Sequence, residues 1–151
     1  MQCSPNTHQD WMLQAISCAS EIKNEVPVCA FILKDNILIS KAVNQIEKLK
    51  DATAHAEILA IREASEKLGD WRLNDCVLYT TLEPCSMCAG AIINSRIKKV
   101  VFGAYDLDAG AGGSKINLFS DLGKENQIEV IGGVLELEAG TLLKDFFLVR
   151  R

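Results

Sequence analysis

The stretch Thr80-Thr81-Leu82-Glu83-Pro84-Cys85-Ser86-Met87-Cys88-Ala89-Gly90-Ala91 decides how the rest of the chain is read. Alone, its Cys-x-x-Cys pair fits a redox couple, half of a structural zinc site or two small buried residues. The upstream run Thr53-Ala54-His55-Ala56-Glu57 narrows the choice. His55, Cys85 and Cys88 together offer one imidazole and two thiolates, and Glu57 adds a carboxylate that need not bind metal. Three protein ligands leave the fourth tetrahedral position to water, which separates catalytic from structural zinc. A closed structural site needs a fourth ligand. Cys29 supplies one if its strand passes the metal.

The chain has 151 residues, of which 48% are hydrophobic, enough for one domain with a sizeable core. No apolar run is long enough to span a bilayer, so no membrane partner is expected. The opening Met1-Gln2-Cys3-Ser4-Pro5-Asn6 lacks the basic and apolar regions of a signal peptide, which points to a cytoplasmic protein. In that compartment the six cysteines are expected as reduced thiols or metal ligands. Cys18, Cys29 and Cys76 read as small buried hydrophobes and Cys3 as a terminal thiol. The net charge of −4 weighs against a large nucleic-acid footprint without excluding a local basic patch.

In chain order, the spacing of Met12, Ala15, Ile16, Ala19 and Ile22 predicts a helix over 7–24, with Thr7 as N-cap and Asp10 completing a capping box. Pro27 separates it from a strand over 28–34 that is apolar almost throughout. Asp35-Asn36 turns the chain into a returning strand over 37–43, an antiparallel hairpin. Asn44 reads by composition as a strand terminator. Residues 45–50 read as a solvated loop. A helix over 54–68 follows, with Thr53 as N-cap and Gly69 at its end. His55 and Glu57 then fall in its first turn.

Trp71 reads as a core anchor or a packing residue of a lid. A strand over 76–81 leads through Pro84 into a helix over 85–94, where Gly90 suggests close packing. Another strand covers 99–103. The alternation of strand and helix from 37 to 103 reads as crossover units with a parallel sheet. The run 109–113 is not a phosphate loop, because the Gly-Lys-Ser/Thr order is missing; a flexible or closely packed turn is expected. A short helix within 115–122, a strand over 127–132 and a helix from 134 complete the chain. That last helix carries Glu136 and Glu138 near its start, and Lys144, Arg150 and Arg151 near its end.

Cys85 and Cys88 stand at i and i+3 on one face of a helix. They lie in its first turn, where unpaired N–H groups and the macrodipole favour thiolates. His55 comes from the start of another helix. Two helix N-termini meeting beyond the strand ends make the crevice in which α/β sheets bind ligands. Glu57, two residues past His55, suits a proton shuttle to a ring nitrogen and then to a departing amine.

These motifs resemble the bacterial tRNA-specific adenosine deaminases of the cytidine deaminase-like superfamily. The likeness covers 25–151. It is carried by Glu25-Val26-Pro27-Val28, the His55 and Cys85 stretches, Met87-Cys88-Ala89-Gly90-Ala91, Ser95-Arg96-Ile97, Phe102-Gly103-Ala104-Tyr105-Asp106 and Lys144-Asp145-Phe146-Phe147. The zinc signature marks the superfamily; the run after Cys88 and the double phenylalanine point to the tRNA branch. The resemblance implies a three-layer α/β fold, with a five-stranded mixed sheet between helices. It also implies a homodimer with one zinc ion per subunit, which hydrolyses the wobble adenosine of a tRNA anticodon to inosine and releases ammonia.

By the same resemblance His55, Cys85 and Cys88 hold zinc and Glu57 shuttles protons. Asn44 and the backbone of Ala56 meet the flipped base, and Asp106 and Phe147 lie near the anticodon. On composition alone, Asp106 reads as a loop acid and Phe147 as a helix core aromatic. A free-base or nucleoside deaminase acting on guanine or cytosine compounds is the alternative within the superfamily. The chain departs from the family at Ala52, where proline is usual, at Cys29, where glycine is common, and at Asn126-Gln127, where an Asn-His pair is usual.

Overall fold

The computed structural model describes residues 7–122, 125 and 127–149. The expectations for Cys3, Asn126, Arg150 and Arg151 lie outside them. Helix α1 spans His8–Ser20, and the capping box forms as expected, with Thr7 and Asp10 exchanging side-chain-to-backbone hydrogen bonds. Met12, Ala15 and Ala19 are fully buried along its stripe. Strands β1 (Cys29–Lys34) and β2 (Ile37–Val43) pair antiparallel. Asp35 and Asn36 make the turn at positive φ, which short polar side chains tolerate.

After β2 the chain departs from expectation. Residues 45–50 hold a one-turn helix, α2 (Ile46–Leu49), not a plain loop. The buried Glu25 carboxylate accepts the Lys48 N–H, and Lys50 ends the turn in the left-handed region. Four residues are too few to show a hydrophobic period. Thr53 is not an N-cap. Its N–H and hydroxyl both bond Asp51 Oδ1, so it closes a local turn, and α3 (Ala56–Leu68) starts later with His55 as N-cap. Gly69 ends α3 at φ +69, where a Cβ would be strained.

Strand β3 (Cys76–Leu82), helix α4 (Ser86–Asn94) and strand β4 (Lys99–Ala104) form a parallel crossover unit. Strand β5 (Glu129–Ile131) extends the sheet in parallel, after the single turn of α5 (Leu118–Asp121). The strand order is β2-β1-β3-β4-β5. The expected parallel crossover from β2 to β3 is therefore not a pair of neighbours, because β1 lies between them and runs antiparallel to both. The hairpin leaves β2 at the edge of the sheet, paired with β1. The result is the expected mixed sheet.

Strand alternation sorts the core into two layers. Ala30, Ile32, Leu78 and Val100 face α3 and α4, while Cys29, Phe31, Leu33, Tyr79 and Val101 face α1. Helix α6 (Glu136–Val149) starts two residues later than expected and packs on β4, on the side of α1. A Cβ at Gly103 would lie 2.9 Å from Ala139 Cβ, so glycine permits that approach.

Two packing expectations fail. Apart from the backbone of its own helix and its chain neighbours, nothing lies within 4 Å of where a Cβ on Gly90 would stand. Trp71 is 52% exposed, with the guanidinium carbons of Arg72 and Arg96 at 4.5 and 5.2 Å from its ring centre. Its polar loop carries it past the core edge. Among the described residues, no helix is long and apolar enough to cross a membrane.

Candidate active site and metal centre

The site forms where the chain leaves β3. Glu83 and Pro84 turn it, Cys85 caps α4 in extended conformation, and Cys88 follows in the first turn. His55 caps the neighbouring α3 in the same conformation. His55 Nδ1 lies 3.6 Å from Cys85 Sγ and 3.5 Å from Cys88 Sγ. One donor atom from each of the three residues lies within 4.8 Å of the other two, so the group can hold a metal ion. One imidazole and two thiols form a borderline-soft set that fits zinc. Cys29 does not complete it. Strand parity puts Cys29 on the α1 face of the sheet, where its sulfur meets Cys18 instead. Cys76 is buried, as expected, but Cys18 is only half-buried.

The electrostatics suit metal binding. A hydrogen bond from Cys88, followed by one from His55, pulls the Cys85 thiol down to about 4. The contact with Cys85, then burial and the nearby Glu57 carboxylate, push the Cys88 thiol up. His55 is raised, first by its hydrogen bond to Cys85. A cation that binds the cluster displaces thiol protons, because the ligating forms are thiolates. Glu57 is buried, and loss of water raises its carboxyl above the usual range. A carboxyl shifted that way exchanges protons nearer neutral pH.

A cavity of about 200 Å³ opens beside this cluster. Asn44, Ala56, Glu57 and Asp106 line it, together with Val26, Val28, Ile46 and Leu82. Asn44 ends β2 as composition suggested, yet it is buried and on the cavity wall, held by its N–H to Val28 O. The Asp106 carboxylate accepts the N–H groups of Asp108 and Ala109, so it also shapes its own loop. Phe147 is not in this cavity and is not a core aromatic. It is 54% exposed on α6 and lines an adjoining groove of about 800 Å³. The groove shares Val26, Leu82, Asp106 and Ala109 with the cavity.

Two residues escaped sequence reading. Thr80, fully buried on β3, places its hydroxyl 3.1 Å from Glu57 Oε1. Glu83, 2% exposed, gathers the loop after β4. Its carboxylate accepts the N–H groups of Asp106, Gly112 and Ser114 at 3.0, 2.9 and 3.1 Å, and the Ser114 hydroxyl. This explains the run 109–113, which is the closely packed turn rather than a flexible one. A Cβ on Gly110 would sit 2.4 Å from the Glu83 carboxylate. The loop is further tied to the metal cluster through Ala111 N–H to Pro84 O and a β-bridge between Gly110 and Cys85. The available signal was an acid in a run that is otherwise short of charge. Its partners, some thirty residues away, were not visible.

The profile of the MafB19-like deaminases matches residues 6–151. The tRNA-specific adenosine deaminase of Bacillus subtilis is 46% identical over 139 residues, covering 91% of this chain and 86% of the relative. A solved structure from work on A-to-I editing by tRNA:A34 deaminases superposes with a TM-score of 0.82 at 40% identity, over 87% of this chain and 97% of the other. Guanine deaminase from Nitrosomonas europaea superposes with a TM-score of 0.81 at 25% identity, over 95% and 86% of the two chains. With a five-stranded mixed sheet, a His-Cys-Cys cluster at two helix starts and relatives of this similarity, the chain belongs to the tRNA-specific adenosine deaminase family.

Proposed function

We propose that residues 1–151 form one zinc-dependent deaminase domain that converts the wobble adenosine of a tRNA anticodon to inosine, with release of ammonia. One observation carries the reading. A buried Glu57, whose carboxyl is raised by loss of water, stands beside a three-residue cluster on the wall of a small cavity. The family supports tRNA as the substrate.

His55, Cys85 and Cys88 would hold zinc, which supplies water with a pKa lowered towards neutrality. Glu57 would carry two protons in turn, the first from the attacking water to the ring nitrogen and the second to the departing amine. Thr80 orients the Glu57 carboxylate through its hydroxyl. Asn44 and the backbone of Ala56 hold the base edge. The apolar walls of Val26, Val28 and Leu82 exclude bulk water. A base must leave its stack to enter, which costs a few kcal/mol and favours an exposed anticodon loop. The adjoining groove, with Asp106 and Phe147, takes the neighbouring nucleotides. We further propose a cytoplasmic homodimer with one zinc per subunit; light scattering and metal analysis of the purified protein check both numbers.

The test is inosine formation in a full-length tRNA and an anticodon stem-loop with adenosine at the wobble position, beside guanine, cytosine and their nucleosides. Inosine is expected only from wobble adenosine. The similarity to guanine deaminase favours one alternative. Ammonia from guanine with the RNA unchanged would replace the tRNA reading with that one.

A further inference from the structure

The other cysteine pair has chemistry of its own. Cys18 lies near the end of α1, and Cys29 opens β1. Their sulfurs are 2.6 Å apart, against about 2.05 Å for a formed bond. We propose that Cys18 and Cys29 form a thiol–disulfide exchange site, oxidised to an internal disulfide by small disulfides of the glutathione class. The inference does not depend on the deaminase reading.

Both partners are held in place before reaction. The Cys29 N–H donates to Thr81 Oγ1 at 3.2 Å, and its strand pairs with β2 on one side and β3 on the other. Cys18 is fixed by its helix, whose Met12, Ala15 and Ala19 are buried against the sheet. A bond between them needs no large movement of either element.

Access differs sharply between the two. Cys29 is fully buried. Cys18 is half-buried and lines a surface cavity of about 670 Å³, beside Glu21, Lys23 and Lys48. A small disulfide therefore meets Cys18 first. The hydrogen bond from Cys29, aided by the charge of Lys41 and opposed by burial, brings Cys18 down to about 7. The same contact and burial push Cys29 up. Cys18 is thus the attacking thiolate and Cys29 the resolving thiol.

The exchange balances without a further reagent. The Cys18 thiolate attacks one sulfur of the small disulfide and expels the other as a thiolate, which takes up the proton Cys18 had given to solvent. Cys29 then attacks Cys18 Sγ in the mixed disulfide, gives up its proton, and expels the second small thiol. The protein loses two electrons, and one small disulfide becomes two thiols. The bond fastens α1 to β1 one residue past Val28, which lines the catalytic cavity.

The zinc-loaded full chain, incubated in mixtures of reduced and oxidised glutathione, acid-quenched, alkylated and digested with trypsin, tests the site. The expected product joins the peptide of residues 1–23 to that of 24–34. It persists in Cys3→Ser, which shares the first peptide, and is lost in Cys18→Ser. In Cys29→Ala the link is lost and glutathione stays on Cys18, which also shows that the variant keeps Cys18 accessible. The proposal fails if wild-type Cys18 remains glutathionylated without a link, if the link vanishes in Cys3→Ser, or if both thiols stay free at the most oxidising ratio.

Discussion

Cys85 and Cys88 sit at the start of α4, while Cys18 and Cys29 join the end of α1 to the first residue of β1. Both pairs bring two sulfurs together, and both contain one thiol pulled down and one pushed up. Their surroundings separate them. The first pair has the start of α4 behind it, with the Cys88 N–H on Cys85, an imidazole 3.5–3.6 Å away and a buried carboxylate alongside. The second faces Phe31, Met12 and Ala15 in an apolar layer. A cation stabilises two thiolates where nitrogen and backbone dipoles complete its shell. At the second pair the apolar layer covers Cys29 and only Cys18 opens to the surface, and among the described residues no third donor completes a metal shell there. Spacing along the chain does not decide this. A third group does.

The sharpest way to break the contrast is to take one ligand from the first pair. Cys88→Ala should drop bound zinc to background and abolish inosine formation, whereas Cys18→Ala should keep full metal content; atomic absorption on both variants decides. Next in size is Glu57→Gln. Its turnover should fall about 10²–10⁴-fold with zinc retained, since a positioned acid–base group contributes that much. Loss of zinc in this variant would instead make Glu57 a ligand.

Gly110→Ala attacks the loop that braces the first pair. Its Cβ would meet the Glu83 carboxylate at 2.4 Å, so urea denaturation should show a loss of about 1–3 kcal/mol. A pH series sharpens the second pair. Alkylation of Cys18 should speed up about tenfold per pH unit below its value of about 7 and level off above it, because the thiolate is the nucleophile. Removing Cys29 takes away the hydrogen bond that lowers Cys18, so that plateau should move to higher pH. The smallest effect belongs to Thr7→Ala. It opens the capping box of the helix that carries Cys18 and should cost about 1 kcal/mol of stability.

Legibility followed the range of the interactions. The capping box of α1, the hairpin turn and the end of α3 at Gly69 rest on neighbours a few residues apart, and each was readable. So was the pairing of Cys85 with Cys88, which one helical turn enforces. Failures came where two local preferences competed or where the surroundings of a segment decided its packing. Thr53 looked like a cap, but Asp51 took its hydroxyl. Gly90 looked like a close contact, but the facing space is open. Trp71 looked like a core residue because apolarity says nothing of where a polar loop carries it.

The sequence by itself determined the donor set of His55, Cys85 and Cys88, the acid at Glu57, and the alternation that puts helices on both sides of a sheet. These depend on residue type and on periods of two and three to four, which are properties of the chain. Only the tertiary structure decided that β1 enters between β2 and β3, that Glu83 gathers a loop some thirty residues away, and that Cys29 faces Cys18 instead of the metal cluster. Contacts between distant segments depend on how sheet and helices pack, and strand parity then assigns each side chain to one face or the other.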